Sequence, residues 1–145
     1  MTVFLAVLII VFDQASKWLV CSLVNYLPFK LLNGFLFIDL IYNTGGAFGI
    51  LKGERAIFIS VSVIAIIYIW WLLWEDKKRS IFLFPSRIGL VMVMAGAISN
   101  LIDRVRLGYV IDFIDFRVWP VFNFADICIT TGVFVIFISY VLRRK

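Results

Sequence analysis

The stretch GAISNLIDRVRLGYVIDFIDFRVWPVFNFAD, residues 96–126, is the part of the sequence that decides the fold and the chemistry. It holds four of the nine carboxylates of the chain, at Asp103, Asp112, Asp115 and Asp126, and it lies between two almost uncharged apolar runs. Charged groups next to membrane-embedded segments are costly unless they pair or perform a function. The stretch is therefore predicted to be an active site at a membrane surface.

The composition around this stretch is that of a membrane protein. Hydrophobic residues make up 63% of the 145 residues, and the mean hydropathy is +1.05. A soluble domain is roughly half apolar, so the excess predicts one membrane-embedded domain covering residues 1–145. The net charge of +5 does not indicate a nucleic-acid partner, because the bases are scattered or lie at the ends of apolar segments rather than in a stripe.

The sequence contains no histidine, and its only thiols are Cys21 and Cys128, each within an apolar run. This excludes the usual zinc sites, a Cys-His pair and a Ser-His-Asp triad. We expect two buried, unreactive cysteines and neither a metal ion nor a cofactor. The first apolar run lacks the basic start of a secretory signal, so we expect it to be retained.

Four apolar segments predict transmembrane helices at about residues 2–24, 56–74, 82–103 and 126–142. Residues 30–50 instead combine β-prone aromatic and aliphatic residues with Asn-Gly and Gly-Gly breaks, which favours a small sheet. The expected fold class is an all-α polytopic membrane protein with four transmembrane helices, a small extracytoplasmic β-sheet, and a short extracytoplasmic segment between helices three and four.

The distribution of basic residues predicts the orientation of these helices. The connection at residues 75–87 is denser in lysine and arginine than the connections at 25–55 and 103–125, and the chain ends in three bases at 143–145. Cytoplasmic connections carry such an excess of bases. Both termini are therefore predicted to be cytoplasmic, with the carboxylate-rich stretch near the outer face.

Two polar motifs outside the central stretch each allow two interpretations. Asp13 and Lys17 are one helical turn apart and can pair, either to orient helix one or to support a catalytic site. The motif NTGGAF at 43–48 is either a sharp turn or a place where Gly45 lets a ligand approach the backbone closely.

The polar residues at the ends of helices three and four are also open to two interpretations. Asn100, Asp103 and Arg104 share one helix face, either as a self-paired helix end or as substrate-binding donors in which Asp103 fixes Arg104. Asp126 is suited to be the N-cap of helix four. Brought together, Asp126 and Asp112 would share one proton, as in aspartic proteases, a mechanism that requires no histidine or metal.

Taken together, the motifs resemble those of the lipoprotein signal peptidase (signal peptidase II) family, in the same order and over nearly the whole chain. They are Asp13 with Lys17, NTGGAF (43–48), SNLIDR (99–104), VIDFIDF (110–116) and FNFAD (122–126). The resemblance implies a four-helix aspartic endopeptidase of the bacterial inner membrane with an extracytoplasmic β-cradle. Such an enzyme removes signal peptides from prolipoproteins just before the lipid-modified cysteine.

The resemblance also implies roles for individual residues. Asp112 and Asp126 would be catalytic. The substrate-binding residues would be Asn43, Gly45, Asn100, Arg104 and Asn123, and the supporting residues Asp13, Lys17 and Asp103. The implied partners are diacylglyceryl-modified prolipoproteins, membrane lipid and the inhibitor globomycin, bound by a monomer. Three departures from the family pattern are Gly46, Ser99 and a short connection between the two catalytic aspartates.

Two other function classes are compatible with parts of the sequence. A small transporter or proton-conducting protein would use Asp13 and Lys17 near the midplane, but most carboxylates gather at one interface. A Ser-Lys peptidase would combine Lys17 with Ser16, Ser22 or Ser99. The peptidase with two aspartates accounts for more of the polar residues than either alternative.

Overall fold

The computed structural model describes residues 2–45, 53–79 and 83–143, so positions 46–48 of the NTGGAF motif and the bases at 144 and 145 lie outside the described residues. The helices are α1 (Thr2–Ser22), α2 (Arg55–Arg79), α3 (Phe84–Arg106) and α4 (Phe124–Arg143). Each is long and apolar enough to cross a membrane. The four predicted transmembrane helices are thereby confirmed.

Helix α3 is the centre of the bundle. It packs against α1, α2 and α4, and 44% of its span is buried, compared with 6% for α2. At the start of α3, Arg87 pairs with the buried Asp76 of α2. Because α3 contacts every other helix, its last turns are the natural place for residues from several elements to meet.

Helices α3 and α4 approach each other backbone to backbone. A Cβ added to Gly89 would lie 2.6 Å from the carbonyl oxygen of Gly132, and one added to Gly132 would lie 2.6 Å from that of Gly89. Two turns further along α3, a Cβ on Gly96 would lie 2.6 Å from the carbonyl oxygen of Ala125. Only small residues allow such an approach, which brings the first turn of α4 against the end of α3.

A three-stranded antiparallel sheet covers this end of the bundle. Its strands are β1 (Phe29–Leu31), β2 (Leu36–Asn43) and β3 (Val110–Asp115), in the order β1-β2-β3. The small sheet predicted around residues 30–50 is confirmed, but β3 was not predicted. Its Val-Ile-Asp-Phe-Ile-Asp sequence is rich in β-prone residues but places a polar residue at every third position instead of alternating. Pairing with β2 sets Asp112 opposite Ile41 and Val110 opposite Asn43.

Several predicted helix limits were wrong. Helix α2 runs on to Arg79 and α3 starts at Phe84, so the predicted connection 75–87 is much shorter than expected. The predicted limit was the last apolar residue of the segment. The helix continues past it because Glu and Lys are good helix formers. Helix α1 ends at Ser22, α3 continues to Arg106, and α4 begins at Phe124 rather than at position 126.

Candidate active site

Asp112 and Asp126 come from different elements and line the same cavity. Asp112 lies in β3 and is 2% exposed, while Asp126 lies in the first turn of α4 and is half-buried. Asn123, which is fully buried, contacts both: its side-chain Nδ2 donates to Asp112 Oδ1 at 2.7 Å and its backbone N–H donates to Asp126 Oδ2 at 3.3 Å. One asparagine therefore ties the two carboxylates together.

Two further asparagines occupy the remaining carboxylate oxygens. Asn43 Nδ2, at the end of β2, donates to Asp112 Oδ2 at 2.8 Å, and Asn100 Nδ2 of α3 donates to Asp126 Oδ1 at 2.8 Å. Each of the four oxygens thus accepts one hydrogen bond from an amide. A carboxylate oxygen has a second lone pair, which leaves each able to contact water or substrate.

The start of α4 is held by a reciprocal cap, which corrects the prediction that Asp126 is the N-cap. Asn123 is the N-cap, and its Oδ1 accepts a hydrogen bond from the backbone N–H of Asp126 at 3.0 Å. Asp126 returns the contact through Oδ2, as in a capping box. From α1, Asp13 Oδ1 accepts the N–H of Ala125 at 2.8 Å. The position of Asp126 is therefore set by local capping and by a distant helix.

Behind the two aspartates lies a buried ionic cluster centred on Lys17. Its Nζ is 2.7 Å from Asp13 Oδ2 and 2.8 Å from Asp103 Oδ2, and it donates to Asn100 Oδ1 at 3.1 Å. The side chains of the three charged residues are at most 3% exposed. Because an ammonium can only donate, Lys17 orients the amide of Asn100 so that its Nδ2 faces Asp126.

Asp103 is a member of this cluster, so the prediction that it fixes Arg104 was wrong. Its Oδ1 accepts from Gln14 Nε2 at 2.8 Å, and its Oδ2 contacts Lys17 and accepts the backbone N–H of Ile111 at 3.2 Å. Asp103 points toward α1 because that helix packs against α3 on this side. It also ties the end of α3 to β3 through Ile111.

Two residues of the cluster had not been assigned a role from the sequence. Ser99 Oγ donates to Asp13 Oδ2 at 2.7 Å, and Gln14 Nε2 donates to Ser99 Oγ at 3.1 Å. Gln14 is a polar residue next to Asp13 in an otherwise apolar run, and this was the signal available in the sequence. Ser99 is a departure from the family pattern and a candidate of the Ser-Lys alternative, and no part in this cluster was predicted for it.

Arg104 and Gly45 lie together on another side of the cavity. Arg104 Nη2 donates to the carbonyl oxygen of Gly45 at 3.4 Å, and its guanidinium lies 4.9 Å from the ring centre of Phe58 in α2. Asn43 Oδ1 accepts the N–H of Gly45 at 3.0 Å, which holds the turn after β2. Over residues 43–45, the described part of this motif, the chain turns as one interpretation predicted, and Gly45 also faces the cavity.

The environment of Asp112 favours its protonated form. Burial raises the pKa of Asp112 from its ordinary value of 3.8 to about 7. The negative charge of Asp126 adds to this effect, while the amides of Asn43 and Asn123 and the charge of Lys17 oppose it. Near neutral pH this carboxyl therefore exchanges its proton readily, as a general acid or base must.

The cavity has a volume of about 550 Å³. The polar residues on its wall include two acids, two asparagines, one arginine and two threonines: Asp112, Asp126, Asn43, Asn100, Arg104, Thr130 and Thr131. Its apolar residues include Val110, Trp119 and Phe122. Within residues 2–45, 53–79 and 83–143, no three or more Cys, Asp or Glu side chains are grouped as metal ligands would be. The polar wall is made of two acids and of donors, an arrangement suited to hydrolysis of a carbonyl compound.

The geometry does not favour a Ser-Lys peptidase. Ser16 and Ser22 donate to carbonyl oxygens of their own helix, and Ser99 donates to Asp13. Lys17 is held between two carboxylates. Asp115, the carboxylate nearest to Asp112 in sequence, pairs instead with Arg117 at 3.2 Å.

The fold has four membrane-crossing helices and one cavity in which two aspartates accept hydrogen bonds from asparagine amides. This is the arrangement of a membrane peptidase of the aspartic class. The chain belongs to the signal peptidase II family, whose model, described as signal peptidase (SPase) II, matches residues 5–142. It is therefore a membrane aspartic peptidase of the signal peptidase II type, and the family resemblance seen in the sequence is confirmed.

Individual relatives agree with this assignment over nearly the full chain. The lipoprotein signal peptidase of Enterococcus faecalis is 40% identical, covering 97% of this chain and 88% of its own length. That of Symbiobacterium thermophilum is 37% identical, covering 100% of this chain and 97% of its own length. A solved structure described as a bacterial membrane enzyme, determined in meso at 2.3 Å resolution, superposes with a TM-score of 0.89 at 30% identity and covers 99% of this chain and 89% of that one.

Proposed function

We propose that Asp112 and Asp126 are the catalytic pair of a peptidase that cuts the bond immediately before a diacylglyceryl-modified cysteine. Because the chain belongs to the signal peptidase II family, its reaction is the removal of signal peptides from prolipoproteins. The observation that carries the proposal for the two aspartates is the double contact of Asn123, which holds both carboxylates at one cavity.

In the proposed mechanism the two aspartates have different roles. Asp126 lies at the N-terminus of α4, where the helix dipole stabilises a negative charge, and it takes a proton from the attacking water. Asp112, protonated near neutral pH, donates to the oxygen of the scissile carbonyl. The tetrahedral gem-diol then collapses: one of its hydroxyls returns a proton to Asp112 as the carbonyl re-forms, the C–N bond breaks, and the leaving amine takes the proton that Asp126 received. No covalent intermediate forms.

The proposed substrate-binding residues surround this pair. Arg104 and Gly45 lie side by side on the cavity wall and hold the peptide backbone of the substrate. A guanidinium presents several donors in a rigid plane, so Arg104 can contact a substrate carbonyl while it donates to Gly45. Asn43 and Asn100 orient the two carboxylates and border the scissile bond. Asn123, proposed from the sequence as a substrate-binding residue, is fully buried and orients both carboxylates from behind the cavity wall.

The proposed setting is the bacterial inner membrane, with a monomeric enzyme whose termini are cytoplasmic and whose cavity lies near the outer face. The bases at the facing ends of two helices, Lys77, Lys78 and Arg79 in α2 and Arg87 in α3, support this orientation. Lipid-modified substrate enters sideways from the bilayer, because acyl chains prefer lipid. Labelling of a cysteine introduced at the exposed Val118 by a membrane-impermeant reagent in whole cells tests the orientation. Absence of labelling in intact cells, with labelling after lysis, would contradict it.

The decisive experiment is a gel-shift assay of purified protein with a diacylglyceryl-modified preprotein. We expect Asp112→Asn and Asp126→Asn each to abolish cleavage while the protein still inserts. Asp115→Asn is the matched control, because it removes a carboxylate of the same strand that pairs with Arg117 instead. We also expect globomycin to inhibit the wild type.

Three results would contradict the proposal. Near-normal cleavage by Asp112→Asn or by Asp126→Asn would show that the substituted aspartate is not catalytic. A loss of activity in Asp115→Asn equal to that in Asp112→Asn would show that the strand, rather than the dyad, is sensitive to substitution. Cleavage at a bond other than the one before the modified cysteine, determined by mass spectrometry, would contradict the proposed specificity.

A further inference from the structure

Two hydroxyl groups lie on the cavity wall below the two aspartates. Thr130 and Thr131 are on α4, one turn after Asp126 and Ile127, and both are exposed. At 1.5 Å per residue, Thr130 lies about 6 Å further along α4 than Asp126. Both threonines lie within the part of α4 that is long and apolar enough to cross a membrane.

The fold itself does not use these hydroxyls. Three serines of the helices, Ser16, Ser22 and Ser139, donate to carbonyl oxygens of their own helix, and Ser99 donates to Asp13. Among the described residues, Thr130 and Thr131 have no hydrogen-bond partner. A polar group without a partner is costly in a membrane, so a ligand that accepts hydrogen bonds would stabilise this part of the cavity.

The substrate of the proposed reaction carries such acceptors. Its diacylglyceryl group is attached to the cysteine that follows the scissile bond, and the cysteine side chain and glyceryl carbons separate its ester carbonyls from that bond. An ester carbonyl accepts a hydrogen bond and cannot donate one, which complements a hydroxyl donor. The neighbouring Val110 and Ile127 provide an apolar wall for the adjoining glyceryl and acyl carbons.

We propose that Thr130 and Thr131 bind the ester carbonyls of the diacylglyceryl group and thereby select the lipid-modified cysteine. This inference rests on the proposed function and adds a binding role to residues outside the catalytic pair. The two hydroxyls hold the glyceryl group at a fixed depth, and this places the scissile carbonyl at the water between the aspartates.

The test compares two preproteins that differ only in the lipid linkage. One carries a diacylglyceryl cysteine, and the other carries a dialkylglyceryl cysteine of equal chain length whose ether oxygens replace the ester groups. We measure kcat/KM for the wild type, for Thr130→Val with Thr131→Val, and for Thr130→Ser with Thr131→Ser. Ser139→Ala is the matched control, because it removes a hydroxyl from the same helix that donates to Val135 at 2.8 Å.

We expect the wild type to cleave the diacyl substrate about tenfold more efficiently than the dialkyl substrate, a difference of about 1.4 kcal/mol. The double valine variant loses this preference: its kcat/KM falls about tenfold for the diacyl substrate and stays within about twofold for the dialkyl substrate, consistent with the size of such hydrogen bonds. The double serine variant and Ser139→Ala keep the wild-type preference. Unchanged cleavage of the dialkyl substrate also shows that the valine variant is folded.

Equal losses on both substrates would overturn the inference, because the hydroxyls would then act on the peptide or on the fold. An unchanged preference in the double valine variant would overturn it as well. If the wild type then cleaves the preprotein and the Asp112→Asn variant does not, the proposed function still stands. Failure of the wild type to cleave either preprotein would overturn the proposed function and this inference together.

Discussion

Asp112→Asn tests the electrostatics of the site independently of catalysis, through the pH dependence of stability. Burial raises the pKa of this carboxyl from 3.8 to about 7 in the folded protein. Between these two values the folded protein holds a proton that the unfolded chain has released. The contribution of Asp112 to stability is therefore greatest at low pH and is lost as the pH rises toward 7.

The magnitude follows from the number of protons released. For one proton, the free energy of unfolding falls by about 1.4 kcal/mol for each pH unit within this window. Between pH 5 and pH 7 the wild type should therefore lose about 3 kcal/mol from this group. The variant should lose this slope. The amide introduced at position 112 also places its NH2 group against the donating NH2 group of Asn43 or Asn123. This clash of donors lowers the stability of the variant by about 1–3 kcal/mol at every pH.

The assay is reversible unfolding in mixed detergent micelles, followed by circular dichroism at pH 5, 6, 7 and 8. The quantity compared is the slope of stability against pH, which is insensitive to the uniform effect of the substitution. Asp115→Asn serves as the control and should keep the wild-type slope. Equal slopes for the wild type and Asp112→Asn would refute the reasoning, because the proton would then be bound elsewhere, with Asp126 as the alternative.

Three further variants test the elements that build the site. Gly132→Ala should destabilise the protein by about 1–3 kcal/mol, measured by unfolding, because its Cβ would lie 2.6 Å from the carbonyl oxygen of Gly89. Lys17→Met should destabilise it by about 3–5 kcal/mol, in the same assay, because two buried carboxylates lose their shared cation. Asn123→Ser should keep the helix cap, since serine is a good N-cap, but lower kcat by at least about tenfold, because the contact to the dyad is lost.

Matched substitutions separate these effects from general damage. Val133→Ala alters an exposed neighbour of Gly132, and Lys30→Met removes an exposed base. Both should change the free energy of unfolding by less than about 0.5 kcal/mol. A stable Gly132→Ala variant would show that α3 and α4 can separate freely. A stable Lys17→Met variant would show that water reaches the buried cluster, and an active Asn123→Ser variant would show that the dyad does not need its amide bridge.

The helices were predictable because membrane crossing depends on the summed hydropathy of consecutive residues. Any run of about 20 apolar residues satisfies it, whatever the rest of the chain does. The site residues were recognisable for a related reason: Asp112, Asp126 and Asn123 are polar groups in apolar surroundings, and such groups stand out in the sequence. Their roles as acid, base or cap were not recognisable in this way, because roles depend on partners.

The sequence by itself determined the four membrane spans, the concentration of carboxylates at one end and the motif order of the family. Only the tertiary structure decided that β3 joins the sheet, that Asn123 rather than Asp126 caps α4, and that Asp103 pairs with Lys17 instead of Arg104. The physical reason is range. The hydropathy of a segment is a sum over residues that are neighbours in the sequence. The partners in the site instead lie far apart along the chain and meet only because α3 packs closely against α1 and α4.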